Sequence, residues 1–158
     1  MAVILRVRLR RLSGRQPSLV RAAQAILRAV GESRAELSLE LVGDGRMRRL
    51  NQVYRGNNRT TDVLAFAMRE APSPCRRLLG DVVISVPTAV RQAKAAGRSL
   101  NEELASLLVH GVLHLCGYDH EKSKREASRM KRRERAVLRS LNVALCRLVM
   151  RRGSRGRL

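Results

Sequence analysis

The chain has 158 residues, 44% of them hydrophobic, a length and composition that suit one compact domain with a mainly aliphatic core, since it holds no Trp, one Phe and two Tyr. Thirty-three Lys and Arg against 13 Asp and Glu give a formal charge of +20, nearly all of the cations Arg, which points to a polyanion that accepts bidentate guanidinium contacts. No apolar run approaches the roughly 20 residues of a membrane span and no secretory signal is legible, while three scattered cysteines without a CxxC (Cys75, Cys116, Cys146) exclude a disulfide framework and fit a reducing compartment.

The first predicted element is a strand from Ala2 to Arg10, where apolar and basic residues alternate. This alternation weighs against a removable Arg-rich transit peptide. Pro17 starts a helix that runs to Val30 and closes at Gly31. Glu36 to Val42 alternates as a second strand, and Asp44 is placed as the N-cap of a short helix through Met47, Leu50 and Val53. A polar loop, Tyr54 to Thr61, feeds a third strand over Asp62 to Phe66. Arg69 to Arg77, with Pro72 and Pro74, reads as a mobile loop. Gly80 to Val86 is a continuous apolar strand, and Pro87 opens a helix to Ala96.

Ser99-Leu-Asn-Glu102 has the form of a capping box. The helix it opens carries a buried stripe (Leu100, Leu104, Leu107, Leu108, Gly111, Leu115), with His110 and His114 along one edge. Gly111 lowers helix propensity, which suits the close approach of a neighbouring element. A last helix is expected from about Ser123 to Leu141, and the tail from Arg147 to Leu158, with five Arg and no acid, reads as disordered. Strands and helices interleave without βαβ regularity. The predicted class is α+β: a small mixed sheet packed with helices, with the histidine helix at its centre.

All three histidines fall in the run His110-Gly-Val-Leu-His114-Leu-Cys-Gly-Tyr-Asp-His120. Residues i and i+4 share a helix face, and Gly117 suits a turn that brings His120 back. Three neutral imidazoles supply three legs of a tetrahedron and leave the fourth open to water, the arrangement of a catalytic zinc centre. Long-form zinc proteases share this spacing but place Glu directly after the first His; here that position is Gly111, which argues against peptide hydrolysis. Asp119, next to a ligand, reads as an orienting partner for an imidazole. Phosphodiester cleavage makes different demands, because negative charge gathers on phosphoryl oxygens where a metal ion and a guanidinium can offset it. Arg55 and Arg59 flank the polar loop before the third strand.

The histidine block resembles the signature of the YbeY family, bacterial and organellar endoribonucleases that act in rRNA maturation. Leu50-Asn51-Gln-Val-Tyr54-Arg55 with Thr61-Asp62-Val63-Leu64-Ala-Phe66, and Leu79-Gly80-Asp81-Val-Val-Ile, are similar to further family blocks. Where the family has Ser before that Phe and Pro after it, this chain has Ala65 and Ala67. The resemblance implies a single domain over 1–142, with a basic tail over 143–158. It implies one Zn2+ per chain on His110, His114 and His120, with Arg55 and His114 as the catalytic residues. It further implies cytoplasmic, zinc-dependent cleavage of single-stranded RNA in 3′-end maturation of 16S rRNA and ribosome quality control, with the ribosome or its small subunit as partner and no membrane. The alternatives are a non-catalytic zinc-containing ribosome assembly factor and a metalloprotease.

Overall fold

In the computed structural model, which describes residues 2–9, 16–68 and 77–153, alternation sets the sheet. In β2 (Glu36–Val42) Leu37, Leu39 and Leu41 point to one face and are fully buried, while Glu36, Ser38 and Glu40 point to the other. β1 (Ala2–Val7) pairs with it in parallel, and β4 (Leu78–Ser85) lies parallel on its other side. β4 is apolar over most of its length because it is a central strand covered on both faces. β3 (Val63–Ala67) closes the order β1-β2-β4-β3 as an antiparallel edge. Ala65 and Ala67 pair with Val82 and Gly80 in unbroken register, so neither alanine disturbs the strand.

One face of this sheet carries the main core, built with α1 (Gln16–Ala29), α3 (Val86–Ala96), α4 (Leu100–Leu115) and α5 (Lys124–Gly153). The opposite face is partly covered by α2 (Asp44–Arg55), whose Met47 packs with Val42, Leu64 and Val83. α4 is the central element: it packs on β3, β4, α1, α3 and α5. Leu104, Leu108 and Leu113 are fully buried on it, each contributing about 1.5–3 kcal/mol. The capping box is present, with Ser99 accepting from the Glu102 N–H and the Glu102 side chain accepting from the Ser99 N–H.

Three expectations need correction. Asp44 does not cap α2; Gly43 holds the cap position and Asp44 is the first helical residue, its carboxylate drawn away to hydroxyls on other elements. α5 does not stop near Leu141 but continues as helical backbone to Gly153, because nothing between Asn142 and Arg152 is Gly or Pro. The first strand ends at Val7, short of the expected Arg10. Residues 69–76, the expected mobile loop with Cys75, and 154–158 of the basic tail lie outside the described residues.

α4 approaches β4 at Gly111. A Cβ there would lie 2.8 Å from Val82 Cγ1 and 3.1 Å from Val82 Cγ2. Gly111→Ala is therefore expected to destabilise the protein: overpacking costs about 1–3 kcal/mol, against roughly 1 kcal/mol returned by better helix propensity. Denaturant unfolding of Gly111→Ala, Val82→Ala and the double variant should show coupling, with Val82→Ala relieving part of the loss. Additive effects would mean that the helix is not wedged at this point.

Candidate metal centre

His110 and His114 lie one turn apart on α4. The helix then ends in a Schellman turn: the Gly117 N–H donates to His114 O (3.0 Å) and the Tyr118 N–H to Leu113 O (3.1 Å). Gly117 takes φ +95, which a side chain would strain. The reversal brings His120 back to its partners. Ring centroids are 4.7 Å apart for His110–His114, 5.3 Å for His110–His120 and 5.1 Å for His114–His120. One ligand nitrogen from each ring falls within 4.8 Å of the others.

The donor set fits a transition-metal ion. Two imidazoles bound at about 2.0–2.1 Å on a tetrahedral centre have nitrogens roughly 3.3 Å apart, and His110 Nε2 lies 3.1 Å from His114 Nε2. The other ring nitrogen of His110, Nδ1, is 2.5 Å from Glu134 Oε1 on α5. A proton on Nδ1, shared with that carboxylate, leaves the Nε2 lone pair facing the other rings. Burial, and then the charges of His110 and His120, push the His114 pKa below its ordinary value, outweighing the Tyr118 backbone hydrogen bond and Asp119. The neutral ring required of a metal ligand is thereby favoured. Neither Cys116 nor Asp119 belongs to the ligand cluster. Asp119 accepts from the Glu121 N–H at 2.9 Å, whereas the carboxylate hydrogen-bonded to an imidazole is that of Glu134.

The three histidines open onto a cavity of about 380 Å³, and Arg55 and Arg59 line the same cavity. Arg55 is the last residue of α2, which ends where Gly56 turns left-handed at φ 70. The loop after it is pinned at successive residues. Asn57 N–H donates to Asn51 O, Asn58 Oδ1 accepts from Arg48, and Asn51 Nδ2 donates to Arg59 O at 2.8 Å. Thr60 Oγ1 donates to Asp44 Oδ1. Asn51 is 3% exposed, so its amide holds the loop from inside the fold. Asp44 ties the start of α2 to β4 and α3 through Ser85 and Thr88, both at 2.7 Å, and pairs with Arg91.

The structure thus brings Arg55 together with His110, His114 and His120, from elements more than fifty residues apart in the chain. Arg59, noted in the sequence only as flanking the loop, shares the cavity, as do Asn51 and the carboxylates Asp62 and Glu121. Asp62 is held by the Val63 N–H (2.8 Å) and by Gln92 (3.2 Å). Glu134 had no sequence signal, because it lies 24 residues from His110 on another helix. Together the groups can hold one metal ion beside a guanidinium pair, a pairing suited to an anionic substrate.

Comparisons with known proteins point the same way. Residues 11–142 match the family described as Endoribonuclease YbeY. An Endoribonuclease YbeY from Aquifex aeolicus is 42% identical over 139 residues, covering 88% of this chain and 92% of the relative. One from Pelotomaculum thermopropionicum is 49% identical over 130 residues, covering 79% and 85%. The solution structure of TM1509 from Thermotoga maritima superposes with a TM-score of 0.54 at 23% identity, covering 89% of this chain and 93% of that one, a likeness of fold.

Removing the Glu134 carboxylate should weaken metal binding by roughly 10–100-fold; competition with a chelating dye on Glu134→Ala measures it, and unchanged affinity would deny Glu134 its orienting part. Asp44 sets an acid limit on stability. Burial works to raise its pKa, but hydrogen bonds from Ser85, Thr88 and Arg91, with the charge of Arg91, lower it from 3.8 to about 2. Because the folded-state pKa is depressed, the contribution is complete above about 3.8 and lost as pH falls through about 2. Asp44→Ala should lower stability at neutral pH and flatten the fall between those values in denaturant titrations; parallel pH curves would contradict this.

Proposed function

The chain belongs to the Endoribonuclease YbeY family, and from that premise we propose that it is a zinc-dependent endoribonuclease that cuts single-stranded RNA. The observation that carries this reading is the single cavity shared by three convergent imidazoles and two arginines. His110, His114 and His120 would hold one Zn2+ per chain. When bound, the ion supplies Lewis acidity that activates water and offsets charge on the phosphoryl oxygens. Arg55 and Arg59 grip the phosphodiester, and their guanidinium groups take up the charge that grows on it during attack. Asn51 and Asp44 fix the loop so that this grip needs little reorganisation. Glu134 keeps His110 in the ligating tautomer. Asp62 and Glu121 are the carboxylates in the cavity to which the attacking water can lose its proton.

The proposed substrate is rRNA, in 3′-end maturation of 16S rRNA and ribosome quality control, with the small ribosomal subunit as partner in the cytoplasm. The catalytic domain spans 1–142, and the basic segment 143–158 adds charge outside it. Among the described residues, no helix is long and apolar enough to cross a membrane. The protease alternative lacks room as well as its residue, since any side chain at position 111 would run into Val82. A structural zinc in a non-catalytic assembly factor would want a closed fourth position, and Cys116 is not in the cluster that could close it.

Metal analysis paired with RNA cleavage tests the proposal. The wild type should carry about one zinc per chain, and His114→Ala should lose both metal and cleavage. Arg55→Ala should keep its zinc while cleavage falls about a hundredfold or more, the loss typical of a missing charge-stabilising donor. Full RNA cleavage by metal-free protein would overturn the proposal.

A further inference from the structure

α5 turns Met130, Val137 and Leu141 into the core, and helical periodicity puts the opposite arc in solvent. From Lys124 to Asn142 the helix has two carboxylates, and both are engaged off that arc. Glu134 is bound to His110, and Glu126 pairs with Arg129 at 3.5 Å. Arg129 also lies over the Tyr118 ring at 4.9 Å, and Arg133 donates to Ala29 O. There remain Lys124, Arg125, Lys131, Arg132, Arg135 and Arg139, all exposed. Among the described residues none of these six is paired with a carboxylate.

From Arg125 to Arg139 the row is about 21 Å long. Like charges three and four residues apart, such as Arg132 and Arg135 or Arg135 and Arg139, destabilise a helix unless an anion covers them. The row starts four residues beyond His120, which with Glu121 lines the cavity. Between Lys124 and Asn142 there is no aromatic side chain on which to stack a base. The arc also presents no large apolar side chain to sink into a bilayer interface.

We propose that the outer arc of α5 is a track for the RNA phosphate backbone, binding successive phosphates of the strand that flanks the segment in the cavity. This rests on the reading of the protein as an endoribonuclease. The track positions RNA without reading its sequence.

The test compares two triple variants of the full chain. One removes the track charges (Arg132→Gln, Arg135→Gln, Arg139→Gln). The other removes three exposed cations elsewhere (Arg34→Gln, Arg77→Gln, Lys94→Gln). Binding of a single-stranded RNA long enough to extend beyond the cavity is followed by fluorescence anisotropy against salt, with circular dichroism and unfolding midpoints checking the fold. At about 0.7 per phosphate contact, the track variant should lose roughly 2 from the slope of log affinity against log salt, and should bind at least tenfold more weakly at low salt. The control variant should keep the wild-type slope. Equal losses in both variants would reduce the effect to bulk charge and overturn the track. An unchanged track variant, with wild type still binding and cutting RNA, would overturn the track alone. Wild type that neither binds nor cuts RNA would overturn the endoribonuclease reading and the track with it. Binding to phosphatidylserine vesicles that the track variant loses, with RNA binding intact, would assign the arc to membranes and overturn the proposal.

Discussion

The histidine helix can lie where it does because Gly111 lets α4 settle onto Val82 of β4, a separation too small for any side chain. Leu104, Leu108, Val112 and Leu113 bury the rest of the helix around that point. His110 and His114 are consequently held by a packed core rather than by a loop, and their spacing cannot drift without moving the sheet. The same contact sets the floor of the cavity, where Val63 and Ala65 of β3 lie beside Gly111. It also removes the residue that a zinc protease would place between these histidines, so one packing constraint fixes the positions of the two imidazoles and narrows the chemistry.

Around that core, polar ties bring in what the helix alone cannot supply. Glu134 comes from α5 and sets the tautomer of His110. Asp44 at the start of α2, and Asn51 one turn before its end, hold the loop that carries Arg59 beside Arg55. Each tie joins two separate segments, the longest reaching 24 residues from His110 to Glu134. The positive charge is partitioned in the same way, with two arginines turned into the cavity and a row of cations turned outward on α5.

Much of this was legible in the chain because the decisive signals are local. The histidine spacing, the capping box at Ser99–Glu102 and the turn at Gly117 all act within a few residues, and each took the form the pattern implied; Gly111, out of place in a helix, marked the close approach that Val82 makes. Alternation in β2 and the apolar run in β4 likewise fixed the faces of the sheet. Long-range groups were not legible. Asp44 carries a local capping signal, but Ser85 and Thr88 compete for its carboxylate from more than forty residues away, and they prevail. Asp119 looked like the partner of an imidazole because it is adjacent to one. The role fell to Glu134, whose reach depends on how α5 packs against α4. Arg55 was drawn to the site by family resemblance, since no spacing rule connects the end of α2 to the histidines.

The central claim is a metal ion held by three imidazoles with its fourth position open to the arginine-lined cavity. X-ray absorption spectroscopy of the zinc-loaded protein tests it most directly. The account predicts a first shell of three nitrogens and one oxygen at about 2.0–2.1 Å, with imidazole scattering beyond it. A sulfur ligand at about 2.3 Å, or a fourth protein nitrogen, would close the site and contradict the account.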